Sequence, residues 1–289
     1  WYKKAAEKGN AKAQANLGQL YSNGNGIEQD LKQAFYWSKK SAQQGNVGGM
    51  LYLGLAYEEG FGVHEDQVES FYWIHLVAVQ GHHKGQYLLG EKYKYGKGVA
   101  QDYKRAFHWY KKSAEQGLAD AQFYLGYLFT VGKVVDQDYL KGYQWYKEAA
   151  NQGHLEAQYR LALAYSGGLG VSKDLKQAFY WGKKAAEQGH PGGQGILGNA
   201  YMHGIVVSKD YKKAFHWYKK AAEQEDSDGQ FDLGIMFYRG EGFPVDNVQA
   251  FSWFRKAAEK GHHRAQQFLG DMYYYGQGIT QDLKQAFYW

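Results

Sequence analysis

Apolar residues recur along this chain at helical spacing, in blocks separated by glycine. In residues 11–23 (AKAQANLGQLYSN), Ala13, Leu17, Leu20 and Tyr21 share one helical face. Gly24-Asn25-Gly26 breaks that pattern, and Ile27 follows where it can pack under a turn. A second stretch, DLKQAFYWSKKSAQQ, opens on Asp30. The Asp30 carboxylate can accept from first-turn amides, and Gln33 stands at capping-box spacing. Ala34, Trp37, Ser41 and Ala42 fall on one face of this helix, and Gly45 ends it in the left-handed region. The predicted unit is helix A, a tight Gly turn, helix B and a Gly cap.

The unit repeats without insertion or deletion. Trp occurs at 1, 37, 73, 109, 145, 181, 217, 253 and 289, a constant step of 36. Columns through Leu17, Gly24 and Asp30 keep the same step. One solenoid domain over 1–289 is expected. Residues 1–9 end a preceding repeat, complete repeats cover 10–45, 46–81, 82–117, 118–153, 154–189, 190–225 and 226–261, and 262–289 is partial. Both ends fall inside helix B without the polar outer face of a terminal repeat, so the natural chain is expected to continue. Gly18, Gly54, Gly90, Gly126, Gly198, Gly234 and Gly270 sit inside helix A, where Gly costs about 1 kcal/mol against Ala. Close approach of the helix B backbone is the expected reason, with Ala162 pushing one pair slightly apart. The Trp column is expected to fill the space between consecutive units.

Composition narrows the possibilities. Cys is 0, which excludes a disulfide scaffold, Cys-ligated zinc and a thiol nucleophile. Aromatics at 18% are too many for a disordered chain. No apolar run is long enough for a transmembrane helix. The net charge of +5 is mildly basic, short of a polybasic tail.

The LG-x-x-Y core of helix A (Leu17, Gly18, Tyr21), the Gly-x-Gly turn, the Asp before helix B and the A-x-x-W-Y/S-x-K-A/S-A-x-x-G pattern resemble Sel-one-like repeats (SLR), relatives of tetratricopeptide repeats. The resemblance covers the whole chain. It departs at Val134 and Val206, which replace the second turn Gly, at Glu225, which replaces a helix B cap Gly, and at Pro244 in one turn. It implies an all-α, right-handed α/α superhelical solenoid that serves as an adaptor in protein complexes. The family is widespread in bacteria, which points to the bacterial periplasm or cytoplasm. Zero Cys places the chain outside the branch with a disulfide in each repeat.

Candidate chemistry is sparse. His82-His83 and His262-His263 look like metal pairs, yet His82, His154, His190 and His262 occupy one repeat position that holds Asn10, Asn46 and Asp226 elsewhere. That mixture reads as a helix A N-cap, and no metal or other cofactor is expected. Glu58-Glu59 and the Glu225-Asp226-Ser227-Asp228 segment match no recurring pocket, and no Ser-His-Asp spacing occurs, so an enzyme such as a cell-wall hydrolase is disfavoured. Lys3-Lys4, Lys39-Lys40, Lys111-Lys112, Lys183-Lys184, Lys219-Lys220 and Arg255-Lys256 form a helix B stripe that could track phosphates. Cations near a helix C-terminus also complement its dipole, which makes nucleic acid the weaker partner class.

Helix A varies at one stripe of spacing i, i+3, i+7, rich in Tyr, Leu, Ile and Phe. Aromatics with a few charges compose interface cores. The stripe supplies a partner-binding set: Tyr52, Leu55, Tyr95, Tyr124, Tyr127, Arg160, Leu163, Ile196, Asn199, Ile235, Arg239 and Phe268. It is expected to line the concave side and to be centred on residues 118–210, with Arg160 free to clamp a carboxylate. The expected function is a scaffold that binds a protein or peptide there. A toxin-neutralising immunity-type binder is an alternative of the same class.

Overall fold

The computed structural model describes residues 1–289 and contains helices and turns without a strand. The helices are α1 (Tyr2–Glu7), α2 (Ala11–Asn23), α3 (Leu31–Gln43), α4 (Val47–Glu59), α5 (Gln67–Val79), α6 (His83–Tyr95), α7 (Tyr103–Glu115), α8 (Ala119–Val131), α9 (Tyr139–Asn151), α10 (Leu155–Gly167), α11 (Leu175–Glu187), α12 (Pro191–His203), α13 (Tyr211–Glu223), α14 (Ser227–Arg239), α15 (Asn247–Glu259), α16 (His263–Tyr275) and α17 (Leu283–Tyr288). Even numbers are helix A of each repeat and odd numbers helix B. The chain falls into two compact units, Trp1–Ala149 and Ala150–Trp289, described in turn below.

Side-chain caps set where the helices start. Asp30 accepts from the Gln33 amide at 3.0 Å, and Asp66, Asp102, Asp174, Asp210, Asp246 and Asp282 cap their helices the same way. Helix A starts on Asn10, Asn46 and Asp226, on Leu118 without a side-chain cap, or on histidine: Nδ1 of His82, His154, His190 and His262 accepts from an amide three residues on. The histidine column therefore does the work of Asn and Asp, as its mixture of residues suggested.

The second glycine of the turn joins neighbouring repeats. Gly62 has φ +71°, and a Cβ there would run into the Leu31 carbonyl at the start of α3, one repeat earlier. Val206 and Glu225, which replace glycine in other turns, are held at φ 67° and 63°. A β-branched residue in this region is strained.

The buried position of helix B lies one residue beyond the expected Trp column. In the first unit Ile74 and Tyr110 are fully buried, while Trp73, Trp109 and Trp145 are only half-buried. In the second unit Tyr218 and Phe254 are buried, while Trp217 and Trp253 are half-buried. Trp37 and Trp181, at 9% and 7% exposure, are buried where the following residue is small, Ser38 or Gly182. Two adjacent side chains thus share one space, and whichever is larger at the second position displaces the indole outward.

This register bears on the helix A glycines as well. A Cβ on Gly90 would lie 2.7 Å from Tyr110 Cε1, and one on Gly234 would lie 2.7 Å from Phe254 Cδ1. Gly90, Gly126, Gly198 and Gly234 make room for a ring, whereas Gly18 and Gly126 also meet the helix B backbone, at the Ala34 and Gly142 carbonyls. In the same register Ala162 is paired with Gly182, so its methyl has space, and Ile196 from α12 covers that glycine. Helix backbones also approach closely where helix B meets the next helix A. A Cβ on Gly49 would lie 2.7 Å from the Ala42 nitrogen, and Gly193 stands in the same relation to Ala186.

A buried glutamine joins successive repeats. In the first unit Gln86 Nε2 donates to the Ala78 carbonyl at the end of α5, and its Oε1 accepts from Gln116 at 2.7 Å. In the second unit Gln158 binds Ala150 and Gln188 likewise. The amide adds a donor to a helix-end carbonyl that also accepts from a turn amide, Gly81 for Ala78 and Gly153 for Ala150, in an otherwise apolar interface.

Candidate functional site

The variable stripe separates into rows with different roles. Its first row packs against the residue that follows Trp on the preceding helix B. In the first unit the Tyr124 ring stacks on Tyr110 at 4.9 Å and 19°. Tyr52 and Leu55 are half-buried, and burial pushes the Tyr52 phenol above its usual range. The later rows reach the surface. Tyr127 is 38% exposed, with its ring 6.2 Å from that of Tyr124, and Tyr95 is 56% exposed.

Tyr124 and Tyr127 line a cleft of about 460 Å³ with Lys94, Tyr103, Ala106, Tyr110, Leu128, Val131, Lys133 and Val134. Lys94 Nζ lies 3.8 Å from the Tyr124 ring centroid and 4.3 Å from that of Tyr95. It stands 3.8 Å from the Glu91 carboxylate, which accepts from the Tyr110 hydroxyl. Burial, reinforced by the charge of Glu91, raises the Tyr110 phenol far above its ordinary value. Close by, Glu58 receives the buried Lys92 at 3.2 Å and Lys97 at 2.9 Å. Burial alone would raise the Glu58 carboxyl, but the two lysines outweigh it and hold it below the usual range.

The second unit has a cleft of about 300 Å³ at the corresponding repeat positions, lined by Ser166, Leu175, Ala178, Phe179, Ile196, Asn199, Ala200, His203 and Ile205. Ile196 stands where Tyr124 stands in its own repeat, and Asn199 where Tyr127 stands. Asn199 is exposed and donates to the Gly195 carbonyl at 3.1 Å, while Leu163 is half-buried. Arg160 is already engaged: Nε donates to Glu156 Oε1 at 3.0 Å. The other Glu156 oxygen meets His190 Nε2 at 2.8 Å, and that imidazole stacks on Tyr159 at 4.3 Å. Because His190 Nδ1 accepts from the Gly193 amide, its proton sits on Nε2, facing Glu156. The free clamp expected of Arg160 is therefore an internal ion pair.

Ile235 and Phe268 face inward as well. Both pack on the cluster around Phe254, with Phe268 at 5.1 Å from its ring. Arg239 is exposed at the end of α14. Asp232, on the same row as Ile196, is pushed up to about 7 by burial and by the charge of Asp228.

The helix B cations are locally engaged. Lys111, Lys183, Lys219 and Arg255 each pair with a Glu four residues on. The following lysines lie over the indole three residues back, at 4.9 Å for Lys112, 5.3 Å for Lys184, 5.0 Å for Lys220 and 4.1 Å for Lys256.

Lys94, Tyr103, Tyr110 and Lys133 lay outside the stripe that sequence singled out. The available signal was the column after Trp, which reads Ser38, Ile74, Tyr110, Tyr146, Gly182, Tyr218 and Phe254. Variation in size at a buried position changes what the facing helix A presents.

The Sel1 repeat pattern matches residues 1–10, 11–46, 48–82, 83–118, 119–154, 155–190, 193–226, 227–262 and 263–289. The chain belongs to the Sel1 repeat family. A protective antigen of uropathogenic Escherichia coli strains, described as displaying an SLR fold, is 36% identical over 99% of this chain and 69% of its own, with a TM-score of 0.84. A Sel1 repeat protein from Oxalobacter formigenes is 33% identical over 100% of this chain and 84% of its own, with a TM-score of 0.71. Among curated proteins no relative matches the sequence. No helix of this Sel1 repeat chain is long and apolar enough to cross a membrane.

Proposed function

We propose that this Sel1 repeat chain is a scaffold that binds a protein or peptide through the helix A face. The observation that carries the reading is the cleft lined by variable helix A residues, present in each unit at corresponding repeat positions but with different linings. A cleft at a constant repeat position with changing walls suits recognition of a particular chain. The exposed part of the expected set, Tyr95, Tyr127, Asn199 and Arg239, supplies the contact surface. Tyr124, Ile196, Ile235 and Phe268 shape it from below. The helix B cations from Lys111 to Lys256 support a protein partner over nucleic acid, since Lys111, Lys183, Lys219 and Arg255 pair with a glutamate and Lys112, Lys184, Lys220 and Lys256 lie over an indole. The test is capture of a partner by the immobilised full chain, followed by titration of variants. Tyr127→Ala and Asn199→Ala are expected to weaken binding by about 1 kcal/mol or more, and Lys183→Ala to leave it unchanged. The reverse ranking would move the functional surface to helix B.

A further inference from the structure

We propose that the first-unit cleft takes an acidic peptide in which a carboxylate neighbours a large apolar side chain. This deepens the scaffold reading and rests on it. The cleft walls carry two cations, Lys94 and Lys133, and no Asp or Glu, whereas the rest of the lining is apolar or phenolic. Lys94 is the more informative. Its Nζ is withdrawn from solvent and donates no hydrogen bond, lying instead over the rings of Tyr124 and Tyr95. The nearest carboxylate, Glu91, is 3.8 Å away and already accepts from the Tyr110 hydroxyl. An ammonium without an acceptor at the wall of an aromatic cleft gains a charge-assisted hydrogen bond when a carboxylate enters and the lysine terminus turns towards it. Lys133 is exposed and adds a second positive charge from the turn after α8. Below them Tyr110, Tyr124, Tyr127 and Val131 offer an apolar floor of side-chain size.

A nucleotide would also combine an anion with an apolar ring. The geometry favours a peptide, because the Tyr124 ring is already stacked on Tyr110 and covered by Lys94, so a base cannot stack on it. The corresponding cleft of the second unit holds Ser166 where Lys94 stands and Ile205 where Lys133 stands, so it lacks this preference.

The experiment is selection of a phage-displayed random dodecapeptide library on the full chain, followed by titration of the enriched peptides labelled with a fluorophore. Enriched sequences are expected to place Asp or Glu beside Leu, Ile or Phe and to lose affinity with added salt. Lys94→Gln and Lys133→Gln are each expected to weaken them about tenfold, while Lys183→Ala, on helix B, has no effect. Lys133 is exposed on a turn, so its variant keeps the test valid should Lys94→Gln disturb packing. Peptides that bind irrespective of charge and of both lysines, but respond to Ile196→Ala, would overturn this proposal and leave the helix A reading intact. Peptides that respond only to Lys183→Ala would overturn both. Enrichment of no peptide, or displacement by oligothymidine at equal concentration, would also overturn the acidic-peptide proposal.

Discussion

Trp217 is half-exposed on α13, with Lys220 over its indole, while the next residue, Tyr218, is buried beneath the glycine of the facing helix. Tyr218→Ala is therefore expected to cost about 3–5 kcal/mol in urea denaturation, and Trp217→Ala only about 1–2 kcal/mol. The backbone offers a second single-residue test. Val206 and Glu225 hold φ values that L residues reach at a cost of roughly 1–2 kcal/mol. Val206→Gly should raise the melting midpoint, because the relief of strain exceeds the added entropy of the unfolded chain. Asp232 gives a pH signature. Its folded carboxyl is raised to about 7 by burial and by Asp228 and Asp226, with Arg264 opposing. The unfolded chain loses this proton near pH 4, so folding stability falls as pH rises from there to about 7 and is level above it. Asp232→Asn should stabilise the protein on the order of 1–3 kcal/mol at pH 8 and bring little change at pH 4, read from melts at both.

At the scale of helices, the buried glutamine column decides how one repeat meets the next. Gln86 gives the Ala78 carbonyl near the end of α5 a second donor and is itself satisfied by Gln116. Gln86→Ala should cost about 1–3 kcal/mol, since it leaves a void and removes a buried hydrogen bond to the Ala78 carbonyl. Gln86→Met should cost less, because Met50 fills the corresponding place in the repeat before it and receives Gln80 through sulfur at 3.4 Å. Equal losses in chemical denaturation would show that hydrogen bonding, not volume, is what the column supplies. Helix boundaries were legible in the sequence because capping is local: Asp30 reaches an amide three residues away in any context. The glutamine column was not read, because a polar residue on an amphipathic helix looks like surface until the preceding repeat covers it.

Across the whole chain, the repeat makes stability a sum of neighbouring interfaces. Loss of the Gln86 contact is expected to raise hydrogen exchange first in α5, α6 and α7, with protection in α13 to α16 retained, as read by exchange mass spectrometry. Uniform loss of protection would instead mean that the array opens as one body. The same locality explains the two clefts. Each is built from three consecutive helices, so the chemistry of one can change through Lys94 and Tyr124 while the other keeps Ser166 and Ile196.

The sequence by itself determined the period of 36, the all-helical unit, its caps and turns, and the Sel1 family. These follow from contacts within a few residues or from identity between repeats, and both are visible in one dimension. Tertiary structure alone decided which residues of the variable stripe are available. Tyr124, Ile196 and Phe268 look like surface anchors in a list of columns, yet each lies against the residue after Trp on the preceding helix B. Arg160 looks free until Glu156 is seen four residues back on the same helix face. Lys94 looks like one more surface lysine until its ammonium is found over Tyr124, a residue on the next helix A. The phase of helix B, one residue beyond Trp, escaped for the same reason: two adjacent side chains compete for one space, and only the facing helix shows which of them enters it.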